Sequence, residues 1–345
     1  MKTLRNGLVC LAFSASVCFA QTSSSGIDLI SFAMPDAQVL GGAHVDAVKN
    51  SAFGQYVLAR VQPTGVQIQN FVSQTGFNPL TDVTDVVGST NGAKGADIRW
   101  LMAAHGSFTV GTIESNAQNH GATIASVTIA GFAADLVTIT GKGQNACLVL
   151  FRDGATALVG DCTTVQSPTI SAERSKLAAA AEALQNSKDV WFVSTLPLGQ
   201  FAGAAPTNLP VNIQASPLLK SIQQVSGSVK FVNDPQNPSV QLAGEALTDS
   251  PDNARSLLNV FNFLVSMVNM SGNNNNAPEA ASLLALIQGI DATVNGNAVD
   301  IALTIPENTL ESIFSQHGPA NLHAERKSDQ SAPHAVQATG KLEVR

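Results

Sequence analysis

The sequence predicts an α+β fold in which antiparallel or mixed sheets carry helices packed on one face. Hairpin signals occur towards both ends of the chain, and amphipathic helical patterns lie between short apolar strands. A doubly wound parallel sheet is the weaker alternative, because it needs a glycine-rich turn from a strand into a helix. Gly41-Gly42 lies inside a strand pattern and lacks the rest of that fingerprint.

The first half of the expected fold covers residues 27–165. Apolar alternation predicts strands over 37–48, 82–88, 100–107, 123–140, 145–151 and 156–162, and helical spacing predicts helices within 52–75 and at 110–120. The stretch 123–140 is expected to form two strands that turn near Gly131 or at 133–135. Asp153-Gly154 is a strong turn signal and predicts a hairpin between the last two strands.

The second half covers residues 170–316. Helices are expected at 171–184, 217–225, 250–270, 278–290 and 309–314, and strands at 190–196, 228–232, 240–247 and 299–305. Ser250-Pro251-Asp252 is a good helix start, since it places a capping hydroxyl, a proline and a carboxylate in order. Asn295-Gly296 predicts a type I′ turn with positive φ at both residues.

The two halves share an outline of strand, helices, antiparallel strands, helix and hairpin. Their sequence identity is too low to prove a duplication, so two similar halves remain one of two possibilities. Residues 317–345 contain almost no aliphatic side chains, and this composition predicts a disordered tail.

The N-terminus has the order of a secretory signal peptide over residues 1–20. Lys2 and Arg5 precede a short apolar run, and Ala20 precedes the polar segment that begins at Gln21. The run is too short for a permanent membrane span, and no other stretch has 18 uninterrupted apolar residues. We therefore expect a soluble periplasmic or secreted protein with no transmembrane anchor in the mature chain.

Charge argues against a nucleic-acid partner. Loss of Lys2 and Arg5 with the signal peptide leaves about 16 basic against 25 acidic residues. Proteins that neutralise phosphates need clustered lysine and arginine, and the first adjacent basic pair is Arg326-Lys327 in the tail. The partners of this acidic protein are otherwise unknown from the sequence.

The first half of the mature chain contains a set of short motifs. They are Met34-Pro35-Asp36-Ala37, Ser51-Ala52-Phe53-Gly54-Gln55, Thr75-Gly76-Phe77-Asn78-Pro79, His105-Gly106-Ser107-Phe108 and Ala157-Leu158-Val159-Gly160-Asp161. As a set they resemble an uncharacterised family of exported bacterial proteins. This family has no known activity, so the resemblance implies export and fold type only.

The sequence contains no recognised catalytic or metal-binding motif. Nucleophile elbows, phosphate-binding loops and zinc-protease helices are absent from it, and we expect no catalytic, cofactor-binding or metal-ligating residues. His44 and Asp46 fall on one face of the expected strand and could hold a metal or orient a base. The simpler interpretation is a solvated polar face, because His105 and His120 have no ligand-like spacing.

Several other polar residues have a structural interpretation and a functional one. Asp82 and Asp85 lack the pattern of a calcium loop and suit turn or helix-cap roles. Asn273–Asn276 could bind sugar hydroxyls but has the composition of a wet loop. Trp100 and Trp191 lie in apolar strands, which favours core packing over ligand stacking.

Two classes of function remain. The first is a non-enzymatic exported protein that binds or scaffolds through apolar surface between its sheets and helices, since no acid, base or nucleophile converges in the sequence. The second is a hydrolase of unrecognised family that uses carboxylates such as Asp46 or Asp135.

Cys147 and Cys162 are the candidates for a disulfide, because they alone remain after signal removal and the expected compartment is oxidising. The hairpin register decides the geometry. A two-residue turn at Asp153-Gly154 pairs Cys147 with Gly160 and leaves Cys162 on a diagonal, whereas a four-residue loop places the cysteines directly opposite one another. A β-bulge in one strand could also bring the two cysteines close enough to form the disulfide.

Overall fold

The computed structural model is built on one antiparallel sheet of twelve strands. It describes residues 27–61, 69, 72–73, 75–93, 95–138, 146–167, 173–197, 217–272, 286 and 288–317. The N-terminal strands are β1 Val39–His44, β2 Val83–Thr90, β3 Trp100–Gly106, β4 Thr123–Ile129, β5 Phe132–Thr138, β6 Ala146–Phe151 and β7 Thr156–Asp161. The C-terminal strands are β8 Val190–Ser194, β9 Ile222–Val232, β10 Ser239–Thr248, β11 Asp291–Asn295 and β12 Ala298–Pro306.

The described helices connect and cover these strands. They are α1 Val45–Asn50, α2 Ala52–Val61, α3 Val110–Asn119, α4 Cys162–Val165, α5 Ala178–Gln185, α6 Pro217–Lys220, α7 Pro251–Gly272 and α8 Glu307–His317. A 3-10 turn at Leu29–Phe32 precedes β1, and its Asp28 side chain caps it by accepting a hydrogen bond from the Ile30 N–H. The α+β prediction is confirmed at this level, although strands dominate.

The strand order is β11-β12-β10-β9-β8-β1-β2-β3-β7-β6-β5-β4. The meander β1-β2-β3 and the meander β8-β9-β10 meet at the β1–β8 pair, where Val39 lies opposite Ser194. A helix follows each meander, and the chain then returns so that β7 pairs with β3 and β12 pairs with β10. Strands from both parts of the chain therefore form one continuous sheet.

Helices cover both faces of the sheet, so the expectation of helices on one face is wrong. Val149 and Leu150 are neighbours in β6 and point to opposite faces, and each belongs to a different core cluster. On the front face, Val149 shares its cluster with the 3-10 turn and α5. On the back face, Leu150 packs in the cluster that contains Ile113 of α3.

The first strand runs without a break through Gly41 and Gly42. The Trp191 ring of β8 lies over Gly42, where an added Cβ would come within 2.7 Å of it. Phe192, the next residue, points to the back face over Gly227 of β9. Bulky rings on β8 therefore fill the space above glycines on both neighbouring strands, which accounts for glycine within these strands.

The turn of the β11-β12 hairpin differs from its simplest sequence interpretation, whereas the turn of the β4-β5 hairpin does not. Asn295 pairs with Ala298, so the loop residues are Gly296 and Asn297. Gly296 has a φ of 61° and Asn297 does not have positive φ, which is the φ pattern of a type II′ turn rather than type I′. The expected turn near Gly131 does form, with positive φ at both Ala130 and Gly131.

Residues 222–225 are strand, and the expectation that they extend the helix from Pro217 is wrong. Helix α6 ends at Lys220, and β9 begins at Ile222. The reason is tertiary: β9 lies between β8 and β10, and both neighbours hydrogen-bond to it. The expected helix over 278–290 and the expected disordered tail lie mostly or wholly outside the described residues.

Candidate functional site

A trough of about 280 Å³ lies on the front face of the C-terminal strands β9 to β12. Its floor consists of outward-pointing side chains of these strands, and Leu184 and Lys188 line it from the α5 segment. The floor side chains are Ser226, Ser228, Ala243, Glu245, Asp291, Thr293, Asp300 and Ala302. Most of them are polar, unlike the front face of the N-terminal strands, which is apolar core.

Strand register brings two carboxylates together in the trough. Glu245 of β10 lies directly opposite Asp300 of β12, and Thr293 of β11 lies opposite Asp300 on the other side. Ser226 of β9 completes the row opposite Glu245. Directly opposed residues in an antiparallel pair have Cβ atoms about 4.5–5.5 Å apart, and like charges in such positions repel.

Burial and this repulsion act on the pKa of Glu245 in the same direction. Burial and the neighbouring charge of Asp300 raise the pKa of Glu245 above its ordinary value of 4.5. Lys188 also lines the trough and is half-buried, yet it makes no ion pair with any described residue. No described ammonium therefore neutralises the Glu245–Asp300 pair by direct contact.

Ser228 adds a polar group that is not satisfied within the described chain. Its side chain lines the trough although the residue is only 8% exposed. No described residue forms a hydrogen bond with its hydroxyl. A hydroxyl in such a position can both donate and accept, and a buried one usually has a partner.

The donor set does not suit a metal ion. Among the described residues, no group of three or more histidine, cysteine, aspartate or glutamate side chains is arranged to hold one. The trough thus combines two opposed carboxylates, hydroxyls and a rim lysine around a space suited to a small polar molecule.

His44 forms the other titratable centre of the front face. Its Nδ1 lies 2.6 Å from the Asp85 carboxylate and its Nε2 lies 2.9 Å from the Gln185 carbonyl oxygen. Both partners are acceptors, so both ring nitrogens donate and His44 is an imidazolium ion. Burial lowers the pKa of His44, but the Gln185 and Asp85 interactions outweigh it and hold the pKa above 6.5.

The grouping of His44 with Asp46 is wrong. His44 ends β1, whereas Asp46 lies in α1 and forms an ion pair with Lys49 at 2.7 Å. Asp85 lies within β2 rather than in a turn, and Asp82 alone has the expected turn role, since it accepts a hydrogen bond from the Asn78 N–H. His44 clamps the end of α5 to the sheet and has no free nitrogen to act as a base.

A polar row continues from this clamp into the core. His105 of β3 lies opposite Asp85 on one side and Thr156 of β7 on the other. The His105 Nε2 and the Thr156 Oγ1 are buried without a hydrogen-bond partner among the described residues. Thr156 is only 1% exposed, so no substrate in solution reaches its hydroxyl.

Asp135, a candidate hydrolase carboxylate, is occupied by an ion pair. Arg152 donates two hydrogen bonds to it, from Nε at 2.9 Å and from Nη2 at 2.7 Å, and Ser126 donates a third. The Arg152 hydrogen bonds hold the pKa of Asp135 below its ordinary value. Nearby Glu114 has its pKa raised by burial and by Asp135. Asp135 is thus a poor proton acceptor.

Cys147 and Cys162 form a disulfide, with Cα atoms 4.8 Å apart. Cys147 lies opposite Gly160, which is the register that placed Cys162 on a diagonal. The bond closes because β7 ends at Asp161 and Cys162 begins α4. The Asp161 carboxylate caps this helix by accepting from the Thr164 N–H, and this turn brings Cys162 back towards Cys147.

Trp191 is 3% exposed and packs in the core, as expected. Residues 273–276 and the tail histidines His317, His323 and His334 carry no described site, because 273–280 and 318–345 lie outside the described residues and the His317 side chain is not described.

Sequence reasoning missed Glu245, Asp291 and Asp300 as site residues. The available signal was the alternation of apolar and polar residues around Asp300, which indicated that one face of β12 is exposed to solvent. That signal does not identify the strand opposite, so the carboxylate pair is visible only in the sheet register.

No protein family model, no curated protein and no solved structure matches this chain. Within the described residues, no helix is both long enough and apolar enough to span a bilayer.

Proposed function

We propose that this protein is an exported binding protein without catalytic activity, and that the trough holds a small organic amine. The opposed pair Glu245 and Asp300 carries the proposal. Two like charges facing each other across neighbouring strands weaken the sheet, and a cation between them relieves the repulsion. The binding of such a ligand is therefore favoured, because it relieves an electrostatic repulsion that is already present in the free protein.

An ammonium group suits this position better than a metal ion. Ammonium donates hydrogen bonds to separate acceptors and does not require the tight ligand cluster that is missing among the described residues. The Ser228 hydroxyl, which has no partner among the described residues, and the Ser226 and Thr293 side chains supply further polar contacts. A volume of about 280 Å³ is near the lower end for small-molecule sites and suits a compact ligand.

A catalytic role has less support. Asp46 and Asp135 are both held in ion pairs, and both nitrogens of His44 are engaged with acceptors. The same groups that a hydrolase would need for proton transfer thus have structural partners.

Export to the periplasm or beyond is part of the same proposal. The basic, apolar and small-residue order of positions 1–20 supports it, as does the resemblance to exported bacterial proteins. The Cys147–Cys162 bond is consistent with an oxidising compartment.

A duplicated origin of the two halves accounts for the contrast between their front faces. The matching order of meander, helix and returning strand supports such an origin. The corresponding front face is apolar core in the N-terminal half, where the 3-10 turn packs against it, and is the polar trough in the C-terminal half. In this interpretation one copy retained the core and the other acquired the binding site.

Titration with putrescine, a diamine, tests the proposal, and 1,4-butanediol is the matched neutral probe. Trp191 lies opposite Ser228, which lines the trough, and Trp100→Phe leaves Trp191 as the only tryptophan. We expect a saturable change in Trp191 fluorescence with putrescine and none with the diol. Glu245→Gln or Asp300→Asn should weaken binding by about tenfold or more, because each removes a charge partner.

Asp234→Asn is the control, since Asp234 is an exposed carboxylate on the turn between β9 and β10. It should leave putrescine affinity unchanged. Affinity should also fall as the pH drops through the raised pKa of Glu245, because protonation removes one of the two charges. The proposal fails if calorimetry detects no putrescine binding, if butanediol binds equally well, or if all three variants behave alike.

A further inference from the structure

Strand β4 forms one edge of the sheet, and within the described residues it has no charge, proline or bulge of the kind that protects edge strands. It is seven residues long and contains no charged residue, proline or glycine. Its ladder with β5 is regular from Thr123 to Ile129, without a bulge. Edge strands of this kind offer unpaired N–H and C=O groups to another strand, and natural proteins usually block them with charge, proline or a bulge.

The opposite edge differs in these respects. Strand β11 has five residues, begins with Asp291 and borders the acidic trough. A second copy approaching β11 would bring the same carboxylates towards Asp291, and like charges repel. The contrast between the edges indicates that β4 alone is suited to pair with an identical strand.

We propose that β4 pairs with β4 of a second copy of this chain about a two-fold axis at Ser126. A two-fold axis makes the contact self-complementary and closed, so it yields a dimer rather than a fibre. The two sheets then join into a single antiparallel sheet.

Hairpin geometry selects this register. In a hairpin with the two-residue loop Ala130-Gly131, the flanking residues Ile129 and Phe132 exchange both hydrogen bonds, and bonded pairs then alternate along the ladder. Residues 124, 126 and 128 consequently direct their backbone groups outward. Centring on Ser126 pairs 124 with 128 and 126 with itself, so every outward group is used.

The side chains on both faces suit this pairing. Ile124 lies opposite Thr128 of the copy on the back face, and Ala125 lies opposite Val127 on the front face. Ile124 and Val127 pack only at the margins of the two core clusters in one chain, and a second copy would extend their burial. The two copies of Arg152 lie near the two-fold axis, and each is already neutralised by Asp135 of its own chain. The dimer therefore does not bring two unpaired positive charges together.

Sedimentation of the whole protein tests the dimer. We expect the dimer mass for wild type at tens of micromolar, about the range in which modest interfaces associate. Ala125→Lys and Thr128→Lys place a charge at exposed positions of β4 and should raise the dimer dissociation constant by about tenfold or more. Asn295→Lys makes a similar change at the exposed end of β11 and should leave the mass unchanged.

Cysteine cross-linking tests the register in a background where Cys10 and Cys18 are serine. Ser126→Cys should form a disulfide between two chains, because directly opposed bonded pairs have Cα atoms about 5.5 Å apart. Thr128→Cys should not, since its own copy lies about four residues along the strand, roughly 13 Å away. A monomeric wild type, equal effects of lysine at both edges, or cross-linking of Thr128→Cys but not Ser126→Cys would overturn the proposal.

Discussion

His44 is held as a cation by two acceptors that come from separate parts of the chain, the Asp85 carboxylate and the Gln185 carbonyl. The carbonyl belongs to the last residue of α5, where the helix dipole favours positive charge. Asp189 adds a further negative charge nearby. A single ring thus fixes β1, β2 and α5 together, and its protonation is coupled to folding.

This coupling predicts a pH dependence of stability. The folded-state pKa of His44 lies above the ordinary 6.5, so its contribution is fully present below pH 6.5 and is lost as pH rises through the raised value. The free energy of unfolding of wild type should fall over that window, and His44→Gln should abolish this slope. Urea denaturation at a series of pH values measures it.

His120→Gln is the control, because His120 is an exposed histidine at the end of α3. It should retain the wild-type slope. Identical pH profiles for wild type and His44→Gln would show that the clamp does not bind a proton on folding.

Gly42 is a second position where one side chain decides stability. A methyl group there would lie 2.7 Å from the ring of Trp191, which is buried, and 2.8 Å from the Val86 carbonyl oxygen. Gly42→Ala should lower the free energy of unfolding by about 1–3 kcal/mol, the range for overpacked sites. Gly88→Ala, on the adjacent strand, meets no atom closer than 4.0 Å and should cost little. Equal losses in chemical denaturation would contradict the packing argument.

At the scale of elements, the Cys147–Cys162 disulfide covalently links the β6-β7 hairpin to α4 and closes a loop with a sequence separation of 15. Replacing both cysteines by alanine should lower the free energy of unfolding by about 3 kcal/mol in the chain-entropy description. A reducing agent should destabilise wild type similarly and leave the double variant unaffected. Thiol titration of unreduced, denatured protein should find neither Cys147 nor Cys162 free, and two free thiols at these positions would refute the bond in the folded protein.

The sequence located most elements, because apolar alternation and helical spacing are local properties. It did not determine the residues of the β11-β12 loop. There the Asn297 carbonyl accepts hydrogen bonds from the Thr248 N–H and hydroxyl, and its side-chain amide donates to the Thr248 carbonyl. These contacts connect residues 49 positions apart and help to place Asn297 in the loop. The Glu245–Asp300 pair has the same origin in long-range register, which explains why the trough was not predicted.

At the scale of the whole molecule, the proposal of export makes a direct prediction about the mature chain. Signal peptidase should cut after Ala20, so the intact mass of exported protein should correspond to a chain that begins at Gln21. Ala20→Tyr puts a bulky side chain where the peptidase needs a small one and should retain Met1 in the cell-associated product. Exported protein that still carries Met1 would contradict the assignment.

The β1–β8 pair also determines the order in which the sheet can be completed. Val39 and Ser194 are adjacent in the sheet but far apart in the chain, so β1 keeps an open edge while the intervening residues are synthesised. Strand pairs that are so far apart in the sequence form late, and they slow the folding of the protein. The nascent N-terminal half therefore exposes a strand edge in the middle of the future sheet. Gly41 and Gly42 lie on that edge and have a low intrinsic preference for strand. The edge is therefore less able to pair with other chains and aggregate before β8 is synthesised and pairs with it.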